Sequence, residues 1–230
     1  PDAIPEDVPV AMADISDLKM TIITNDPAKR YYYTLLFGDK YRVKIATRNV
    51  NIPGIQNFRD LGGYPSYSTK KQVRWGMIYR SAEIESLECY SRRELRNLGI
   101  KTLIDLRTSS ETGRQSPLQK EFNVVHIPLA TGDMENILKG IREEKIKSDT
   151  VYRMVEQMNR DLIDKYTTEY RQIFDILLDK NSYPVVIHCS SGKGRTGIVS
   201  ALVLAALGIN EDIIMEDYRL SNDYFNIPSA

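Results

Sequence analysis

VVIHCSSGKGRTG, residues Val185 to Gly197, begins as an apolar strand and breaks into a small glycine-containing loop. Val185, Val186 and Ile187 are β-branched and follow Pro184, which suits a strand buried on both faces. His188 and Cys189 then fall at its carboxyl end, where open α/β sheets bind their ligands. Ser190, Ser191, Gly192, Lys193 and Gly194 are small, flexible or basic, so successive backbone N–H groups can turn around an anion. The apolar run Ile198 to Leu207 predicts a buried helix whose amino terminus, with unpaired N–H groups and a positive dipole end, points into the same loop. An anion is therefore expected there.

Two side chains turn that anion site into a reaction centre. The N–H groups, the helix end and Arg195 all favour the thiolate of Cys189, which makes it the candidate nucleophile. Arg195 can fold back and grip two phosphoryl oxygens with its planar fork, a geometry lysine lacks. Thr196 follows and can offer its hydroxyl to Cys189 when the thiolate leaves. Taken singly these residues have ordinary explanations: a buried cysteine is usually a small hydrophobe, and Gly-Lys-Gly is usually a turn. Their joint spacing carries the chemistry. A nucleotide-binding loop of the Gly-Lys-Ser/Thr kind is excluded, because Lys193 is followed by Gly194 and Arg195.

His188-Cys189 through Arg195-Thr196 matches HCx5R[ST], and the chain thereby resembles the cysteine-dependent protein tyrosine phosphatase superfamily. NFRDLGGY (Asn57 to Tyr64), IYRSA (Ile78 to Ala82), LGIKTLIDLR (Leu98 to Arg107) and DYRLSN (Asp217 to Asn222) are similar to the bacterial tyrosine/lipid phosphatase family with an HCxxGKxRTG loop. The resemblance spans roughly residues 50 to 225, with its motifs in order. It implies an α/β fold: a central, mostly parallel sheet flanked by helices, phosphatase-like, here with a small N-terminal antiparallel β appendage. It also implies hydrolysis of a phosphomonoester through a cysteinyl phosphate, without metal or cofactor. Catalytic Cys189 and Arg195 and phosphate-binding Ser190, Ser191, Gly192, Lys193, Gly194 and Arg195 follow from the matched motif.

The rest of the chain is read around this loop. Its 230 residues hold 31 basic and 31 acidic side chains, so no global field recruits nucleic acid or a membrane. No apolar stretch is long enough to span a bilayer. Residues 1–50 are expected to be a leader and a small β appendage, and residues 51–230 the phosphatase domain. In the appendage, Leu18 to Ile23 and Tyr31 to Phe37 are predicted strands, and after Gly38-Asp39 Tyr41, Val43 and Ile45 alternate with Arg42, Lys44 and Ala46. Pro1 as first residue, a Pro/Asp/Ala-rich start and this appendage lean toward an exported bacterial protein; a catalytic thiolate and only two cysteines fit the cytoplasm as the alternative. Oligomeric state is not legible.

Further elements are expected as a strand over Val73–Tyr79 delivering Arg80, a helix over Ser91–Leu98 with Ser91 and Glu94 as a capping box, strands at Lys101–Leu106 and Val124–Leu129, and helices through Glu135–Asp179. Arg59-Asp60 reads as a structural salt bridge, and Arg80 either as a neighbour of the site or as an exposed cap. Ser221 and Asn222 either brace the loop or cap a helix on the surface.

The leaving oxygen needs a proton, normally from a carboxylic acid on a mobile loop. Asp133, in ATGDMEN, is the candidate, with a helix cap as its ordinary role; Asp105, ending its strand, is the rival. Close bacterial relatives usually carry Asp where this chain has Gly194, whereas lipid phosphatases share Gly-Lys-Gly. Protein tyrosine, or dual-specificity, phosphatase activity is the first expectation, and the departure at Gly194 makes phosphoinositide or inositol phosphate the alternative substrate class. A non-catalytic phosphate-binding module is the reading from outside enzymology, and it is weakened by intact Cys189 and Arg195.

Overall fold

The computed structural model describes residues 9–17, 19–24, 30–38, 41–85, 87–112, 117–131, 140–141, 143, 145 and 148–226. The chain divides into two units, Pro1–Arg30 and Tyr31–Ala230. In the first, Ile15–Asp17 form a single 3-10 turn. The strand expected over Leu18–Ile23 does not form in its described part, 19–23. A strand needs a neighbour to satisfy its backbone groups, and Ile23 stands almost wholly exposed.

The second unit opens with β1 (Tyr32–Phe37) and β2 (Tyr41–Ala46), an antiparallel pair with Tyr33 opposite Ile45 and Leu35 opposite Val43. It continues through β3 (Arg59–Asp60), β4 (Pro65–Ser66), β5 (Lys71–Gln72), β6 (Ile78–Ser81), α1 (Cys89–Asn97), β7 (Thr102–Asp105) and β8 (Asn123–His126). Then follow α2 (Ser148–Lys165), α3 (Thr167–Leu178), β9 (Val185–His188), α4 (Gly194–Ala206), α5 (Glu211–Arg219) and α6 (Ser221–Tyr224). The five-stranded sheet runs β3-β6-β9-β7-β8, with β3 antiparallel to β6 and all other pairs parallel. The strand carrying the quoted motif is thus central, with a parallel neighbour on each side.

Alternation along β9 explains why its whole apolar run is buried. Val185 and Ile187 pack with Ile104, Leu162, Ile173, Leu177, Val199 and Val203, on the side of α2, α3 and α4. Val186 packs on the other face with Phe58, Tyr79, Leu95 and Leu103, toward α1. Each such side chain contributes about 1.5–3 kcal/mol by leaving water. Tyr166, Tyr170 and Phe174 pack partly buried against the first of these cores, with Ile173 and Leu177 inside it, as their helical spacing predicts.

Several boundaries differ from expectation. The strand placed at Val73–Tyr79 begins only at Ile78, because Trp75-Gly76 turns first and Gly76 takes φ +75°. The Ser91–Glu94 capping box does not exist: α1 starts at Cys89, Ser91 Oγ donates to Pro53 O (2.6 Å), and Glu94 accepts from Asn97. Gly99 does stop the helix, at φ +73° with its N–H on Arg96 O. Within the region expected to be helical, α2 and α3 are separated at Tyr166, whose hydroxyl bonds the backbone N–H and O of Ala130. No helix among the described residues is long and apolar enough to cross a membrane. Ile104, fully buried on β7, provides a test of this core: Ile104→Ala should cost about 2–5 kcal/mol in denaturant unfolding.

Candidate active site

α4 begins at Gly194, earlier than the apolar run alone indicated, so Arg195 and Thr196 lie in its first turn, directly after the loop that leaves β9. The loop keeps its shape because its carbonyls are tied to the scaffold. Glu83 N–H donates to Ser190 O (3.1 Å), Asn57 Nδ2 to Ser191 O and Gly192 O (3.1 Å each), and Arg80 Nη2 to Gly192 O (2.8 Å). In a planar trans peptide the N–H points away from the preceding carbonyl. The N–H groups of Ser191, Gly192 and Lys193 are therefore turned to the opposite side. Among the described residues, those of Ser190, Ser191, Gly192, Gly194 and Arg195 have no acceptor, and that of Lys193 meets only Ser191 Oγ at 3.4 Å. A loop of free N–H groups at a helix start suits an oxyanion. Gly192 is obligatory: its φ is +69°, and a Cβ would stand 2.5 Å from the carbonyl of Ser81.

Behind the loop lies a buried polar network. Asp217 accepts from Arg80 Nη1 (2.6 Å), Arg59 Nε (3.3 Å) and the Tyr64 hydroxyl (2.9 Å). Arg59 also donates to Asn57 Oδ1, and both arginines reach Ser221 Oγ. Burial raises the Asp217 carboxyl, but Arg80 and Arg59 outweigh it and hold the group below the ordinary range. Burial, with Arg80 nearby, brings Arg59 down to about 10, so it keeps its charge at neutral pH. Arg59 therefore serves Asp217 rather than a simple local pair with its neighbour, while Asp60 accepts from the N–H groups of Gly62 and Gly76 (2.7 Å each). Arg80 is no exposed cap. Ser221 is buried in the same network, whereas Asn222 is exposed.

Cys189 and Arg195 are both buried at the loop. Both cysteines are free, with Cys89 exposed. Arg195 donates through Nη1 to Leu106 O (3.2 Å) and Leu129 O (3.4 Å), and through Nη2 to Ser190 Oγ (3.2 Å). Its Nη1 and Nη2 also meet the two carboxylate oxygens of Glu111, each at 2.6 Å. Thr196 Oγ1 is buried without a hydrogen-bond partner among the described residues. Lys193 places its ammonium 5.1 Å from the ring centre of Phe225. At Gly194 a Cβ would meet nothing within 4 Å.

The two acid candidates fare differently. Asp133 lies outside the described residues. Asp105 is buried at the end of β7 and accepts from Arg107 Nε, Nη2 and N–H. Burial pushes its carboxyl up, but the Arg107 bonds prevail and leave it below the ordinary range. Asp105 is therefore held ionised, which is wrong for a proton donor. His188 is fully buried, and burial pushes its imidazole down to about 4, with Asp105 3.9 Å away pulling the other way.

Sequence reasoning missed Glu111 and left Asn57 and Asp217 without a role. Glu111 had a legible signal: Thr108-Ser-Ser-Glu111 fits a capping box, and Thr108 N–H and Oγ1 do donate to its carboxylate (2.9 and 2.8 Å).

The sequence profile of the tyrosine phosphatase family matches residues 50–229. The chain belongs to that family. It is similar to the triple specificity protein phosphatase PtpB of Mycobacterium tuberculosis, 32% identical over 194 residues, covering 75% of this chain and 68% of PtpB. It is also similar to a tyrosine-protein phosphatase of Nostoc commune, 26% identical over 148 residues, covering 63% of this chain and 48% of that protein. The chain thus spans about two thirds of the length of the first of these relatives and about half of the second. It contains a cysteine-dependent phosphatase domain of the protein tyrosine phosphatase type.

Two outcomes follow from the supports of the loop. Asp217→Asn leaves two buried guanidinium groups without their shared counter-charge, so it should lower stability by about 3–5 kcal/mol and reduce turnover together, read by denaturant unfolding and phosphatase assay. His188 binds a proton near pH 6.5 when unfolded but only near 4 when folded. Its stabilising contribution is complete above pH 6.5 and is lost as pH falls toward 4, by about 1.4 kcal/mol per pH unit. Unfolding free energies measured across that window should fall accordingly, and His188→Asn should flatten the slope.

Proposed function

We propose that the domain formed by residues 51–230 hydrolyses phosphomonoesters in two steps, with phosphotyrosine protein as its first substrate class. Cys189 sulfur attacks phosphorus in line while the bond to the leaving oxygen breaks. The N–H groups of Ser190 to Gly194 and the Arg195 guanidinium hold the phosphoryl oxygens, where negative charge is spread in the transition state. Asp133 gives its proton to the leaving oxygen, and the Thr196 hydroxyl assists Cys189 as the sulfur leaves. Water then hydrolyses the cysteinyl phosphate. The observation that carries this reading is the set of loop N–H groups turned away from carbonyls pinned by Glu83, Asn57 and Arg80, beside a cysteine and an arginine.

Phosphoinositide or inositol phosphate is the second reading. It draws support from the charge of Lys193 beside the loop, from the open space at Gly194, and from the name of the mycobacterial relative, which declares three specificities. Phosphate release from phosphotyrosine peptides, phosphoinositides and inositol hexakisphosphate separates the two.

Cys189→Ser should abolish turnover of an aryl phosphate; a serine variant with normal turnover would overturn the proposal. Arg195→Lys should lower kcat by about 10²–10³-fold. Asp133→Asn should lower it by about 10²–10⁴-fold for alkyl phosphates and far less for p-nitrophenyl phosphate, whose leaving group needs no proton.

A further inference from the structure

The hydroxyl of Tyr166 grips both polar groups of one backbone position, Ala130: it accepts from the N–H and donates to the carbonyl, 3.0 Å each. Tyr166 stands at the N-cap of α3, where its side chain caps nothing and its own carbonyl accepts from Tyr170 N–H (2.9 Å). That position favours Ser, Thr, Asp or Asn, so tyrosine there gives up a local stabilisation, and its hydroxyl is directed to Ala130 instead. Leu129, just before Ala130, is the last residue tied to the sheet and to the reactive loop. It is fully buried, its N–H donates to Leu106 O (3.1 Å), and its carbonyl accepts from Arg195 Nη1 (3.4 Å). At Ala130 the chain is exposed, and one hydroxyl supplies both the donor and the acceptor that a neighbouring strand would supply. The Tyr166 ring packs against the core that contains Ile173 and Leu177, so the anchor has a rigid base.

We infer that Tyr166 is a positioning residue for protonation of the leaving oxygen: by clamping Ala130 beside the Leu129 carbonyl that Arg195 holds, it fixes the point from which the chain after β8 leaves for the proton donor. Asp133, the candidate donor, follows Ala130 by three residues. A general acid must come within hydrogen-bond reach of the leaving oxygen, and misplacement by about 1 Å can cost about 10²-fold in rate. Arg195 holds the phosphoryl group and Ala130 starts the donor's segment, and Tyr166 keeps the two in register. Without the hydroxyl, water satisfies the exposed backbone groups of Ala130, so the fold loses little while the anchor is released. The inference rests on the reading of this domain as a phosphomonoester hydrolase whose acid comes from the segment after β8.

Leaving-group dependence tests this. Phenyl phosphate releases a phenol, which like tyrosine has a pKa of about 10 and needs the proton, whereas p-nitrophenyl phosphate, of nearly the same shape, does not. Tyr166→Phe, which keeps the packed ring, should lower kcat/KM for phenyl phosphate by about tenfold and for p-nitrophenyl phosphate by less than about twofold, with denaturant unfolding nearly unchanged. An equal loss with both esters would make Tyr166 a support of the whole site, and an unchanged rate with phenyl phosphate would leave the anchor without effect; either result overturns the inference. Asp133→Asn assayed beside it separates the two assignments. If it shows the same dependence on the leaving group, Asp133 is the donor that the anchor serves. If it shows none while Tyr166→Phe does, the donor is another residue and the role of Tyr166 stands. A wild-type protein that hydrolyses neither ester would refute the phosphatase reading, and this inference with it.

Discussion

The reactive loop depends on a few hydrogen bonds that hold its carbonyls outward. Asn57 and Arg80 take the carbonyls of Ser191 and Gly192, and Glu83 N–H takes that of Ser190. Planarity of the peptide then turns three successive N–H groups the other way. Asn57 and Arg80 are in turn fixed by Arg59 and Asp217, so one buried carboxylate on α5 organises a loop that follows β9. Two guanidinium groups against one carboxylate also leave positive charge beneath the loop. In a buried setting such charge favours an anion in front of it.

The sheet supplies the rigidity this arrangement requires. β9 is flanked by parallel strands, and β6 and β7 bring Ser81 and Asp105 level with His188. Arg80 on β6 therefore starts beside the loop, and the close approach of Ser81 is what makes glycine necessary at 192. Both faces of β9 are sealed by apolar packing. His188 is consequently held neutral, while Arg195 reaches the carbonyls after β7 and β8 at Leu106 and Leu129.

What the sequence makes legible is what is local. Val185 to Gly197 encodes a strand, a nucleophile, a glycine turn and a helix start within a few residues, and Gly192 and Arg195 are where that pattern places them. The antiparallel pair of Tyr32–Phe37 and Tyr41–Ala46 follows from alternation around a turn. The supports of the loop are not local: Asn57 lies 134 residues from the Ser191 carbonyl it holds, and Arg59 lies 158 from Asp217. A single sequence shows these as polar residues in turns and helices, with nothing to pair them. Ser221 illustrates the ambiguity, since a serine near a helix end ordinarily caps it, and only the fold buries this one between two arginines. Ser91 failed for a different reason: the capping pattern is present, but α1 starts two residues before it and directs the hydroxyl to Pro53.

The central claim is that the phosphoryl group passes through Cys189 while the pinned loop holds its oxygens. Rapid acid quench of the enzyme during turnover of a phosphotyrosine peptide, followed by peptide mass mapping, tests it most directly. The account predicts one acid-trapped phosphoryl group on the peptide that contains Cys189. Turnover at a normal rate with no phosphoryl group on Cys189 at any quench time would contradict it.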